Sequence, residues 1–193
     1  PSEFSGWHST VSDEIPRLLS NLSHDRFQNR VPQFKPTEHY PISKIRLSSV
    51  SSGDSIDLFK WRNDPLTQHM SNTPGELSIT THEKWLKDSI DSDTRKIFIG
   101  RCGSRKIGMV RFDISTKTNR AEVSINLNPE LRGQGLSKAL LQEAIKVFHS
   151  QHYITLTARI KQSNLVSKRI FSSLGFIQIS DSPLVTSYEL RAR

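Results

Sequence analysis

Apolar positions are unevenly spread along the 193 residues. They are thin before Ile45 and dense over residues 97–176. The core therefore belongs to the later part of the chain. Residues 1–42 read as an extension: a short amphipathic helix over 15–22, capped by Ser12 or Asp13 with Pro16 in its first turn, then a polar linker holding Pro32, Pro36 and Pro41. A folded domain is expected over residues 43–193.

Within that domain the period of the pattern alternates. Ile45, Leu47 and Val50 predict a first strand over 44–50. Ser52-Gly53-Asp54 offers a turn and a cap. Ile56, Leu58, Phe59 and Trp61 predict a helix that Pro65 ends, because the ring removes an amide donor and disfavours helix geometry in the residue before it. The Thr80–Glu83 spacing fits a capping box for a helix running to about Asp91. Strands are expected over 96–101, 106–114 and 121–127, with turns at Gly103-Ser104-Arg105 and Lys117-Thr118-Asn119. In the third of these strands Val123, Ile125 and Leu127 alternate with Glu122, Ser124 and Asn126, the mark of a half-buried strand.

After Pro129 the period lengthens. Leu136, Leu140, Leu141, Ala144, Ile145 and Phe148 recur at helix spacing. A strand over 153–160, a helix over 165–174 closed by Gly175, and strands over 176–179 and 185–190 complete the pattern. The order β-α-α-β-β-β-α-β-α-β-β implies an α/β (α+β) architecture: a mixed, mostly antiparallel central sheet with helices on both faces.

Composition narrows the function. Hydrophobic residues make up 34% of the chain, against the ~45–50% of ordinary domains when Gly is counted too. The formal charge is +8, yet no run of four Lys/Arg occurs and the cations are scattered. This pattern points away from nucleic acid and suits a ligand with several phosphates, or simply a solvated basic surface. Cys102 alone cannot build an internal disulfide, in keeping with a reducing cytoplasm. No apolar run spans a membrane, and the first residues lack the look of a signal peptide.

The candidate chemistry lies where a strand meets the strongest helix. Unpaired first-turn amides and the helix dipole make an anion site there, and glycines let the backbone approach a ligand closely. The turn reads Arg132-Gly133-Gln134-Gly135-Leu136-Ser137, with Arg132 expected to add a cation beside the site. It is no Walker loop, since no Gly-Lys-Ser/Thr follows, and it lacks the third glycine of a dinucleotide fingerprint. It resembles the R/Q-x-x-G-x-G/A signature of the GNAT superfamily of acetyltransferases, with Ser137 at the last position. Asn164-Leu165-Val166-Ser167 and Leu174-Gly175-Phe176 resemble a second family feature, and the likeness spans roughly residues 45–190.

The resemblance implies the GNAT fold and acetyl-CoA as donor, with no metal. Backbone amides of Arg132, Gly133, Gln134, Gly135, Leu136 and Ser137 would hold the pyrophosphate. The pantetheine arm would lie between the strands around 121–127 and 153–160, near Ile125 and Leu127. Asn164 and Ser167 would meet the CoA arm, and Lys168 or Arg169 the 3′-phosphate. Glu122 would serve as the base that takes a proton from the acceptor ammonium; by alternation alone it is a solvent-facing strand residue. The family's tyrosine acid falls on Phe171, which has no proton to give. Either another group serves, with Ser167 and Tyr153 the available hydroxyls, or the thiolate leaves unprotonated.

The acceptor side reads Trp61-Arg62-Asn63-Asp64-Pro65, His82-Glu83-Lys84-Trp85, and Val110-Arg111-Phe112-Asp113. This combination is similar to acetyltransferases acting on nucleotide-linked amino sugars, closest to those of pseudaminic-acid synthesis with a UDP-4-amino-4,6-dideoxy acceptor. The similarity implies that Arg62, Asn63, His82 and Arg111 face the acceptor. The structural alternative makes Trp61 and Trp85 core residues, His82 a helix-start residue, and Arg111 a partner of Asp113 or Glu122. Residues 1–42 resemble the tail of a nucleotide-sugar hydrolase sometimes fused ahead of such domains. Competing readings are a ribosomal-protein-type N-terminal acetyltransferase, which shares a His-x-x-Trp-like segment, and a non-catalytic acyl-CoA-binding module. Neither nucleic acid nor membrane is an expected partner; a homodimer is one assembly open to the chain.

Overall fold

Seven strands form one sheet in the order β1-β2-β3-β4-β5-β7-β6. The structure is a computed structural model; it describes residues 45–73 and 75–192, all within the unit 39–193. The helix and linker expected over residues 1–42 lie outside the described residues.

β1 (Ile45–Ser49) leads into a 3₁₀ turn (Ser52–Asp54) and α1 (Ser55–Asn63). Asp54, 2% exposed, fixes this entry. Its Oδ2 accepts the Ser51 N–H and hydroxyl, both at 2.9 Å. Its Oδ1 takes Lys106 Nζ at 2.7 Å and Arg101 Nη2 at 3.0 Å. Burial opposes the charge, but the Lys106 and Ser51 hydrogen bonds outweigh it and hold the carboxyl below its usual range.

Pro65 does more than stop a helix. Asp64 leaves helix geometry at ψ 132, and its Oδ2 accepts Thr67 N–H. Pro65 then opens a further helix, α2 (Pro65–Met70), which the periodicity does not predict. α3 (Ile79–Ile90) is capped by Ser78, whose Oγ accepts Thr81 N–H at 3.2 Å. The cap thus falls two residues before the expected Thr80.

β2 (Arg95–Cys102), β3 (Arg105–Ser115) and β4 (Arg120–Leu127) form an antiparallel meander. A 3₁₀ turn (Pro129–Leu131) leads to α4 (Leu136–His149). β5 (Thr155–Lys161), α5 (Leu165–Ser173), β6 (Ile177–Asp181) and β7 (Val185–Leu190) follow. α5 ends as expected at Gly175, φ 88, where Phe176 N–H reaches back to Phe171 O at 3.2 Å.

Two cores flank the sheet. On one face α4 presses Leu140, Leu141, Ala144 and Phe148 against Val110, Phe112, Val123 and Leu156. Phe148 stacks on Phe112 with ring centres 4.1 Å apart. Gly100 and Gly108 lie beneath Leu140, where a Cβ would be 2.3 Å and 2.9 Å from its methyl groups. On the other face Leu58, Trp61 and Leu86 cover Ile97, Ile99 and Met109, with Trp85 partly buried beside them. Among the described residues no helix is long and apolar enough to cross a membrane.

Candidate active site

The turn between β4 and α4 has the features its glycines foretell. Gly133 and Gly135 adopt φ 78 and 74, and a Cβ on either would meet nothing within 4 Å. Gly135 is the N-cap of α4, and no side chain caps the helix start. The first-turn amides therefore face open space at the positive end of a 14-residue helix. This is the cradle that a pyrophosphate requires, so the residues present fit acetyl-CoA.

The sheet supplies a slot beside the cradle. β4 and β5 run parallel and pair at Arg120↔Thr155, Ala121↔Leu156 and Glu122↔Thr157. Past Glu122 the two strands part. Ile125 and Leu127 lie on β4 beyond that last rung, without a strand on their β5 side. Along the slot, one face carries polar side chains and the other the α4 core. Glu122, Ser124 and Asn126 share this face with Asp113 and Arg111, the β3 register partners of Glu122 and Ser124, and with Thr157 and Arg159 of β5.

α2 and the residues after it bridge the slot. Thr67 Oγ1 donates to Asn126 Oδ1 at 3.3 Å on β4. On β5, Lys161 Nζ donates to His69 O and Asn72 Nδ2 to Arg159 O, both at 2.8 Å. Sequence reasoning passed over Asn72 and Arg159. The alternation of Thr155, Thr157, Arg159 and Lys161 with buried Leu156, Ala158 and Ile160 would have assigned Arg159 to the Glu122 face.

Several expected roles change. Arg132 does not turn its charge to the pyrophosphate cradle. Its Nη2 lies 2.5 Å from Asp64 Oδ2 and 2.8 Å from Thr67 Oγ1, tying the turn to α2. Burial works against the Asp64 charge, but Arg132 and Thr67 N–H hold its carboxyl below the ordinary range. His82 is not at the acceptor surface: it is 1% exposed, bonded through Nε2 to Ser55 O at 2.9 Å, and packed between Phe59 and Trp85. Burial lowers its pKa below the usual histidine value. Its position with Leu86 and Ser89 at helix spacing is the signal that marks it as inward-facing. Asn63 uses both ends of its amide on the Leu77 backbone, at 2.9 and 3.0 Å, so it ties the end of α1 to the residue before the α3 cap.

Arg62 and Arg111 remain. Arg62 Nη2 donates to Thr73 O at 2.6 Å, while its Nη1 is buried without a partner. Burial and the nearby Arg111 charge lower its pKa. Arg111 Nε stands 2.8 Å from Asp113 Oδ2, but its N–H does not point at the oxygen, so the contact is ionic only. Glu122 receives Arg159 Nε at 3.1 and 3.2 Å on its two oxygens.

On the cofactor side, Asn164 caps α5, its Oδ1 accepting Ser167 N–H at 3.1 Å. Lys168 donates to Gln162 Oε1. Gln134 is exposed and Ser137 half-buried in the cradle, while the Leu136 side chain enters the core. Phe171 is buried edge-on to Phe176, with ring centres 4.9 Å apart. Tyr153 precedes β5, at the end where the strands are still paired, so its hydroxyl is off the slot. Among the described residues no group of His, Cys, Asp and Glu could hold a metal ion.

The profile of the acetyltransferase (GNAT) domain matches residues 44–177. No curated protein sequence matches the chain. Solved structures share its fold. A spermidine N-acetyltransferase, SpeG, from Vibrio cholerae in complex with CoA and spermine has TM-score 0.69 and 16% identity over 78% of this chain and 96% of its own. A single-residue mutant of the same Vibrio cholerae enzyme gives 0.67 and 17% over 77% and 94%. RimL, a ribosomal L7/L12 alpha-N-protein acetyltransferase in complex with coenzyme A, gives 0.68 and 16% over 79% and 97%.

Proposed function

Because this chain belongs to the GNAT acetyltransferase domain family and is an acetyl-CoA-dependent N-acetyltransferase, we propose that its acceptor is an amine on an anionic carrier, the 4-amino group of a UDP-linked amino-dideoxy sugar. The observation that carries the acceptor class is the Arg62–Arg111 pair. Two guanidinium groups lie close together, and Arg62 keeps a buried donor nitrogen with no partner. Such a donor costs free energy until an oxygen arrives, and a phosphate supplies one. Arg111 is the register partner of Ser124 on the adjacent strand, so it stands roughly 5 Å, one strand spacing, from the edge of the slot. That span fits an amine at one end of a sugar and a diphosphate at the other.

The residues divide the work. The amides around Gly133 and Gly135 hold the donor's pyrophosphate, and the slot beside Ile125 and Leu127 takes its arm. Glu122, on the last paired rung, receives the proton that the acceptor ammonium gives up. The amine nitrogen bonds to the acetyl carbon and gives up its second proton to water, the carbon–sulfur bond breaks, and the electron pair leaves on the thiolate. Phe171 supplies no proton to it.

A second reading, acetylation of a protein N-terminus, is favoured by the fold likeness to RimL. The shared His-x-x-Trp segment does not separate the two, since His82 and Trp85 pack on each other. Free-thiol release from acetyl-CoA tests both. Release with a UDP-4-amino-4,6-dideoxy sugar and none with a ribosomal N-terminal peptide is expected. The reverse result removes the sugar reading, and silence with both favours an acyl-CoA-binding module.

A further inference from the structure

Four carboxylates around the slot share one property: each carries an arginine. Asp64 holds Arg132, and Asp113 holds Arg95 at 2.5 Å and Arg111 at 2.8 Å. Glu122 holds Arg159. Glu189, the register partner of Thr157 on β7, holds Arg120 at 2.8 Å and Arg191 at 3.3 Å. Arg62 adds a charge that no described carboxylate answers. The basin around the slot therefore has cations in excess, although the fold is one that also serves spermidine acetyltransferases.

A linear polyamine is bound by carboxylates that are free to take ammonium groups, and like charges across a binding site oppose it. Arg159 is the pair member that decides this at the reacting end. Its side chain is 62% exposed, and it covers both oxygens of the carboxylate on the last rung. The pair is open to water, so it is weak enough to exchange partners.

We propose that Arg159 is a selectivity residue: seated on Glu122, it bars polycationic amines from the slot and admits amines that bring their own negative charge. An anionic acceptor makes a double exchange. Its anion takes the guanidinium, and Glu122 is released to the ammonium. A polycation offers the guanidinium nothing and meets only repulsion. The inference rests on acetyl transfer as the activity, since that makes the Glu122 end of the slot the station of the reacting amine.

The test is spermidine binding to the CoA-loaded protein by calorimetry, for the wild type, Arg159→Gln and Arg159→Glu. The CoA affinity of each variant serves as the check that the fold is intact. Wild type is expected to show no saturable binding at millimolar spermidine. Removing the charge should tighten binding on the order of 10-fold, and reversing it more, the scale of a unit charge acting across several ångströms of partly solvated site. Saturable spermidine binding by the wild type would overturn the inference. So would variants that hold CoA normally yet gain no affinity for spermidine. Neither result depends on whether the natural acceptor is a nucleotide sugar, which thiol release decides separately.

Discussion

Gly108 is the glycine with least freedom to change. A Cβ there would lie 2.7 Å from Asn126 O, 2.9 Å from Leu140 Cδ2 and 3.1 Å from Leu127 Cα. Two of these three neighbours are backbone atoms of the paired strand β4, which no rotamer change can move. At Gly100 the shortest contact is shorter still, 2.3 Å, but it is to Leu140 Cδ1, the end of a side chain. Overpacking costs about 1–3 kcal/mol. Gly108→Ala belongs near the top of that range and Gly100→Ala in the lower half, where an off-rotamer Leu140 costs about 0.5–1.5 kcal/mol. Alanine returns at most about 1 kcal/mol by stiffening the unfolded chain. At about 2–4 °C per kcal/mol for a domain of this size, Gly108→Ala should melt roughly 5–10 °C below the wild type. Circular dichroism melts measure this, and calorimetry with acetyl-CoA measures the second consequence. Pushing Asn126 and Leu127 outward narrows or tilts the slot, so Gly108→Ala should also weaken the ligand, and Gly100→Ala should not. Shortening Leu140 to Val should couple favourably with Gly100→Ala in a double-mutant cycle and barely with Gly108→Ala. A Gly108→Ala protein that melts with the wild type, or a Gly100→Ala protein that loses more, would refute the reasoning.

Other outcomes follow from the same geometry. Glu122→Gln should cut turnover by about 100-fold or more while acetyl-CoA affinity holds; thiol release and calorimetry measure the two, and undiminished turnover removes Glu122 as base. Gly135→Val forces a branched side chain into a left-handed backbone and fills the open cradle, so acetyl-CoA affinity should fall at least about 10-fold for a stability loss of roughly 1–2 kcal/mol; calorimetric affinity equal to wild type would show that the cradle lies elsewhere. Burial depresses His82 from the ordinary histidine value near ~6.5, so the unfolded chain takes the proton first. Its contribution to stability is full above that value and is lost as pH falls through the depressed one. His149 is shifted the same way, so His82→Asn should lower the melting temperature at neutral pH yet flatten, without abolishing, its decline between pH 7 and 5.

Local periodicity carried most of the fold. The order of strands, the long helix α4 and the glycine turn all depend on neighbours in sequence, and each formed as read. What escaped depends on tertiary choices. α2 was missed because Pro65 both ends one helix and starts another, and only the extended Asp64 between them reveals which. The Thr80–Glu83 spacing lost to Ser78 because a side chain two residues earlier was placed to cap. The Arg132 charge could not be aimed from sequence, since its partner Asp64 is 68 residues away. The point where β4 and β5 part, and with it the importance of Arg159, is set by packing alone.

The short parallel pairing has a mechanical consequence. β1–β4 and β5–β7 are each stitched along whole strands, yet only three register pairs join one half of the sheet to the other. This seam is the least cross-linked line in the backbone. A ligand whose amides bond along the parted edges would act as a suture, adding rungs where the chain itself has none. Loading should therefore slow amide-hydrogen exchange along both lips of the seam and make pulling the halves apart harder, leaving the outer strands indifferent.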